Sequence, residues 1–124
     1  MKTPDAPNLK FAFQIEAECA APITGGAGVL GERRHIQITG GKVSGPELSG
    51  TILPGGSDWA LYRPDGVVEV SAHYSIMSDD GIPVYVRNRG LRVASKEVIA
   101  RLLSGAPVDP GEYYFRSTPV FDAP

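Results

Sequence analysis

The chain has little of several things, and each shortage excludes something. Cys19 is the only cysteine, so no intrachain disulfide forms and no zinc site can be built on thiolates. Two histidines, His35 and His73, are all there are. They show neither H-x-H nor H-x-x-x-H spacing, so the sequence carries no metal motif. Basic and acidic residues number 12 and 14, for a net charge of -2. That balance offers no electrostatic reason for binding nucleic acid or an anionic membrane. Apolar runs extend for only a few residues, far short of a membrane span. The N-terminus MKTPDAPNLK lacks the apolar stretch of a secretory signal. A single cysteine without such a signal suits a reducing compartment, and a cytoplasmic location is expected.

Catalytic signatures are also missing. There is no G-x-S-x-G elbow for a nucleophilic serine. The glycine-rich stretch PITGGAGVLG, residues 22–31, lacks the G-x-x-x-x-G-K-[ST] pattern, and no helical pattern follows it. It reads as a surface loop. Cys19 lies at a strand end with nothing strongly basic beside it, so an inert thiol is expected.

What is present is alternation and punctuation. The chain of 124 residues is sized for one domain. Gly 15 and Pro 11 together far exceed the usual share of about 12%. They fall between short alternating segments, which is the pattern of many turns. Residues 1–8 read as a flexible leader and 9–124 as one domain. From 9 to 18, Leu9, Phe11, Phe13, Ile15 and Ala17 alternate with mostly polar residues, as in a half-buried strand. Further strands are expected over 32–39, 48–53, 67–77, 82–89 and 113–120. Gly40-Gly41 reads as a turn between 32–39 and a short segment at 42–44. Asp79-Asp80-Gly81 is a hairpin turn. Ser95 caps the one helix, Val98, Ile99, Leu102 and Leu103 form its apolar stripe, and Gly105 ends it. Glu97 and Arg101 are spaced to pair on its solvent side. The expected fold is mainly β, a small antiparallel barrel with one short α-helix.

Several ordered segments add a family resemblance. GERRHIQITGG (31–41), SGPELSGTILPGGSDW (44–59), RPDG (63–66), HYSIMSDDGIPVYVRNRG (73–90) and EYYFRSTPVFD (112–122) occur in sequence. Together they closely resemble the bacterial and fungal family called domain of unknown function 3237. The resemblance implies a small β-barrel with a lumen, no settled activity and no known cofactor. Members of that family usually continue for about two more strands. An edge left unpaired here would be covered by oligomerisation or another segment.

Candidate site residues fall in four places. Trp59, the only tryptophan, follows Asp58 directly at the end of a turn. Strand neighbours point to opposite faces, so only one of the two lines a lumen unless a bulge intervenes. Either Trp59 stacks on a ligand beside an acidic Asp58, or Trp59 plugs the core while Asp58 caps the turn. His73 has the near-neutral chemistry of a general acid–base group. Glu112, Tyr114 and Arg116 share one face of the last strand, where Tyr114 and Arg116 are suited to hold a carboxylate or phenolate. Tyr85 would help shape the pocket. The expectation is that the barrel binds a small apolar or aromatic molecule through Trp59, Tyr85, Tyr114 and Arg116. His73, Asp58 or Glu112 would move protons in a cofactor-independent isomerisation, cyclisation or elimination. The alternative is a structural domain that oligomerises through an apolar edge, and a homo-oligomer is expected on either view. Periodicity finds two strand faces but does not say which is inside. The default for a small barrel puts the apolar rows inside.

Overall fold

The computed structural model describes residues 1–124. Eight strands are present: β1 (Gln14–Cys19), β2 (Ile23–Gly28), β3 (Gly31–Ser44), β4 (Gly50–Ile52), β5 (Gly56–Tyr62), β6 (Val68–Ser78), β7 (Pro83–Val93) and β8 (Tyr114–Asp122). Helix α1 (Lys96–Leu103) and a 3-10 turn at Pro110–Glu112 lie between β7 and β8. All strand pairs are antiparallel, and the pairings β3–β4, β4–β6, β6–β5 and β5–β3 close into a ring. Strands β1 and β2 lie outside it beside β3, and β7 and β8 extend it beyond β6. This is the antiparallel barrel with one short α-helix that the alternation predicts.

The long strand β3 organises this arrangement. Its first half pairs with β2 on one edge and β5 on the other, and its second half pairs with β1 and β4. Strands β4 and β5 therefore follow one another along the same two neighbours, separated by the turn at 53–55. Gly40-Gly41, expected to turn the chain, instead continues β3. Gly41 pairs with Ala17 and has φ 143°. A Cβ there would collide with the Glu16 carbonyl and the Ile52 side chain. Glycine serves close strand packing at this point rather than reversal.

Two other expectations change for a related reason. The glycine-rich segment 22–31 is not a loop: β2 occupies Ile23–Gly28 and pairs with β3, its register shifting between Thr24 and Ala27. The β3 edge pairs Ile23, Thr24, Ala27 and Gly28, while Gly25 and Gly26 form the bulge at the register shift, where Gly26 takes φ 94°. Strand β1 begins at Gln14, not at residue 9. Its partner β3 ends at Ser44, opposite Gln14, and Gly45-Pro46 turns away. Beyond that point only Ala12 keeps a main-chain bond, accepting from the Glu47 N–H at 3.0 Å.

Helix α1 starts as expected. The Ser95 side chain accepts from the Val98 N–H at 3.2 Å, and the Ala106 N–H closes the far end on the Arg101 carbonyl at 3.0 Å. The expected Glu97–Arg101 pair does not form. Arg101 donates instead to both carboxylate oxygens of Glu112, at 2.5 and 3.3 Å. A two-point guanidinium–carboxylate contact outcompetes a single exposed pair along one helix.

The core is a cluster of Ile38, Val43, Ile52, Tyr74, Ile76, Val84 and Val86. These come from the apolar rows of β3, β4, β6 and β7, so those rows point inward. Gly56 lies in the same layer, where a Cβ would strike the Cβ of Tyr74 and the His73 carbonyl. Ile76 is fully buried. Its replacement in Ile76→Ala is expected to cost ~2–5 kcal/mol by urea denaturation, and Gly56→Ala is expected to destabilise by displacing Tyr74.

Candidate functional site

Beside the packed core, the inward faces of the ring strands β3, β5 and β6 and of β1, β7 and β8 outside the ring bound a cavity that is open along the exposed strand β8. This cavity of about 710 Å³ is lined by 15 residues, 11 of them hydrophobic. Ile15 and Ala17 of β1 and Ile36 and Ile38 of β3 form one wall, and Phe115 and Phe121 of β8 form the opposite one. The outer edges of β1 and β8 do not hydrogen-bond to each other. Phe13, just before β1, meets Phe121 edge-to-face at 5.4 Å between centroids. That aromatic contact brings the two walls together around the cavity.

Few polar groups enter this space. Asp58 of β5, Tyr74 of β6, Asn88 of β7, Ser117 of β8 and Cys19 of β1 line it. Asp58 sits opposite Ala72, and Ala72 sits opposite Asn88. The acid and the amide thus stand two strand spacings apart, roughly 10 Å along the sheet, with only a methyl group between them. The β5–β6 pairing skips Trp59 and Ala60, and the Ser71 N–H donates to Asp58 Oδ1 at 2.9 Å. Burial nevertheless dominates the electrostatics: loss of water pushes the Asp58 carboxyl above its ordinary value, with the Ser71 bond pulling the other way. Burial also raises the Tyr74 hydroxyl. The Cys19 thiol is raised by burial first and then by the Asp58 charge, so it is held as the unreactive thiol. Asn88 has no side-chain hydrogen bond, and its Oδ1 is buried without a partner. An orphaned amide of this kind carries a desolvation cost that a polar group entering the lumen would relieve.

The seven residues singled out by sequence separate. Asp58 lines the lumen. Trp59 points outward, its indole stacked on His35 with centroids 5.4 Å apart and planes 9° from parallel. His35 Nε2 also shares a hydrogen bond with the buried Ser57 hydroxyl at 2.8 Å. Trp59, His73 and Tyr85 meet in a shallow outer groove of about 310 Å³ beside the turn at 53–56. Tyr114 and Arg116 lie on the outer side of β8, where Arg116 stands 5.8 Å over the Tyr114 ring and donates to the Phe115 carbonyl at 2.7 Å. The lumen-facing residues of β8 are their neighbours Phe115 and Ser117. Glu112 is on the 3-10 turn, where the Arg101 guanidinium holds its carboxyl below the usual range. Tyr85, Tyr114 and Arg116 thus do not share one cavity. Sequence reasoning passed over Asn88 and Tyr74 as site residues. The available signal was a polar side chain on an apolar row, with Asn88 continuing Val84 and Val86. No three His, Cys, Asp or Glu side chains approach closely enough to hold a metal ion.

Fold and site together define a small antiparallel β-barrel with an apolar lumen and one embedded carboxyl. Over residues 7–124 the chain matches the model of the family "Protein of unknown function (DUF3237)", and it belongs to that family. An uncharacterised UPF0311 protein of Clostridium acetobutylicum is 43% identical over 116 residues, covering 93% of this chain and 73% of that protein. The crystal structure of a conserved protein of unknown function from Rhodopseudomonas palustris superposes with a TM-score of 0.87 at 39% identity. That match covers 95% of this chain and 79% of the other. A hydroalkoxylation enzyme of Penicillium herquei is 33% identical over 89 residues, 67% of this chain and 55% of that protein.

Asp58 makes the stability of the fold depend on pH. Because its folded-state value is raised, the folded protein binds its proton more tightly than the unfolded chain. That contribution is fully present below the ordinary Asp value of about 4 and is lost as pH rises through the raised value. Asp58→Asn keeps an acceptor for the Ser71 N–H and carries no charge. In urea titrations it is expected to be more stable than the parent near neutrality, with the difference shrinking towards acid pH.

Proposed function

We propose that the lumen binds a small, largely apolar molecule with an aromatic or unsaturated ring, and that Asp58 moves a proton on it without a cofactor. Asp58 carries this reading: it is the one carboxyl, raised by burial, in a largely apolar cavity. A carboxyl tuned upward serves as acid and base near neutral pH better than an exposed one. Tyr74, Asn88 and Ser117 supply further polarity for orienting a bound molecule.

The hydroalkoxylation enzyme of Penicillium herquei supports this chemistry. Hydroalkoxylation adds an O–H across a carbon–carbon double bond and involves no net oxidation. Protonated Asp58 would give its proton to one alkene carbon while the hydroxyl oxygen bonds to the other. The proton leaving that oxygen would then return to the Asp58 carboxylate. One carboxyl closes the cycle, and the same two transfers serve an isomerisation. The exposed edge of β8 supports a second, compatible reading. Tyr114 and Val120 are solvent-facing on that strand, and an unpaired edge is a template for another copy.

Uncharged naphthol-like probes are expected to raise the melting temperature, since a ligand at 100 times its Kd adds about 2.7 kcal/mol. Ala72→Phe, which fills the floor between Asp58 and Asn88, is expected to abolish that shift. With an unsaturated phenol that turns over, Asp58→Asn is expected to lower kcat by ~10²–10⁴. An unshifted melting curve across such probes would remove the binding reading. Light scattering of the eluted protein tests the oligomer, and a monomer mass would exclude pairing through β8.

A further inference from the structure

The electrical character of the lumen is one-sided. No Lys, Arg or His lines it, and Asp58 is its only acidic residue. The other titratable side chains there are Cys19 on β1 and Tyr74 on β6, and burial raises both, so both stay protonated near neutrality. Strands β3, β7 and β8 contribute no titratable side chain to the cavity. The ionised carboxylate has one main-chain donor, Ser71, and no cation partner among the ion pairs of the fold. The arginines flanking it in sequence and register point elsewhere: Arg34 stands over Tyr62 at 4.0 Å, and Arg63 is taken by Asp65 and Glu69.

We infer that Asp58 makes the lumen a charge filter, admitting uncharged and amine-bearing ring compounds and rejecting carboxylates. This rests on the reading of the lumen as a binding site and adds the charge class of what enters. An incoming carboxylate meets a like charge with no guanidinium to neutralise it. Two unit charges about 6 Å apart at an effective dielectric near 20 repel enough to weaken binding roughly 100-fold. Taking up a proton on Asp58 removes that repulsion, so the penalty applies where Asp58 is ionised. An ammonium gains the opposite term. The filter works by exclusion, so it costs a neutral ligand little.

Three matched probes test this by calorimetry: naphthylmethanol, naphthylmethylamine and naphthoate, each titrated into the full chain. At pH ~8 the alcohol and the amine are expected to bind and naphthoate to bind at least about tenfold more weakly than the alcohol. In Asp58→Asn that gap is expected to close to within about threefold. A second measurement needs no variant. The wild-type gap is expected to narrow as the pH is lowered through the titration of Asp58, whose carboxyl burial raises above its ordinary range. Naphthoate binding as tightly as the alcohol at pH ~8 would overturn the filter while leaving the lumen as a binding site. Failure of all three probes to bind would overturn both.

Discussion

Everything in this molecule hangs on the main-chain hydrogen bonding of β3. Its fourteen residues offer both edges to partners, and four separate strands take them up. None of those four is long enough to define a sheet alone. Pairing along a common spine gives them register, and register decides which side chains meet. It sets His35 against Trp59 and Ile36 against Asp58 on successive rungs. The period of two then does the sorting: one rung faces water, the next faces the lumen.

The Asp58-Trp59 pair shows what this sorting achieves. The larger and more conspicuous residue is sent outward, where its ring lies against an imidazole. The smaller acid is sent into the cavity. A carboxylate among Ile, Phe and Ala side chains is a poor choice for stability, because burial penalises its charged form. The fold tolerates it through a single main-chain donor on β6. Sites where a local rule is broken without a full structural compensation are where function is to be sought. The orphaned amide of Asn88, across Ala72 from the acid, is a second violation in the same row.

Much of the fold was legible because it rests on local signals. The D-G hairpin, the Ser95 cap and the alternations at 67–77 and 82–89 all depend on residues close in sequence. The misread segments depend on distant partners. Gly25 and Gly26 read as loop, yet they are a bulge inside β2, whose flanking residues pair with a β3 edge. Gly40-Gly41 has the composition of a turn, yet Ala17 and Ile52 require bare backbone there. The site was less legible for a different reason. Aromatic and charged residues such as Tyr114, Arg116 and Glu112 attract notice by type, but parity places them outside or ion-paired. Asp58 was found because it adjoins the sole tryptophan. Asn88 and Tyr74 sit inside apolar rows, and they become conspicuous once the inward face is known.

The outward stack of Trp59 on His35 has a spectroscopic consequence. The only indole of the protein spans the β3–β5 ladder from the solvent side, stacked on the His35 imidazole. Its emission therefore follows the separation of two central strands. It is shielded by the thickness of the sheet from events in the cavity. Intrinsic fluorescence will be a faithful clock for unfolding and nearly blind to whatever occupies the barrel.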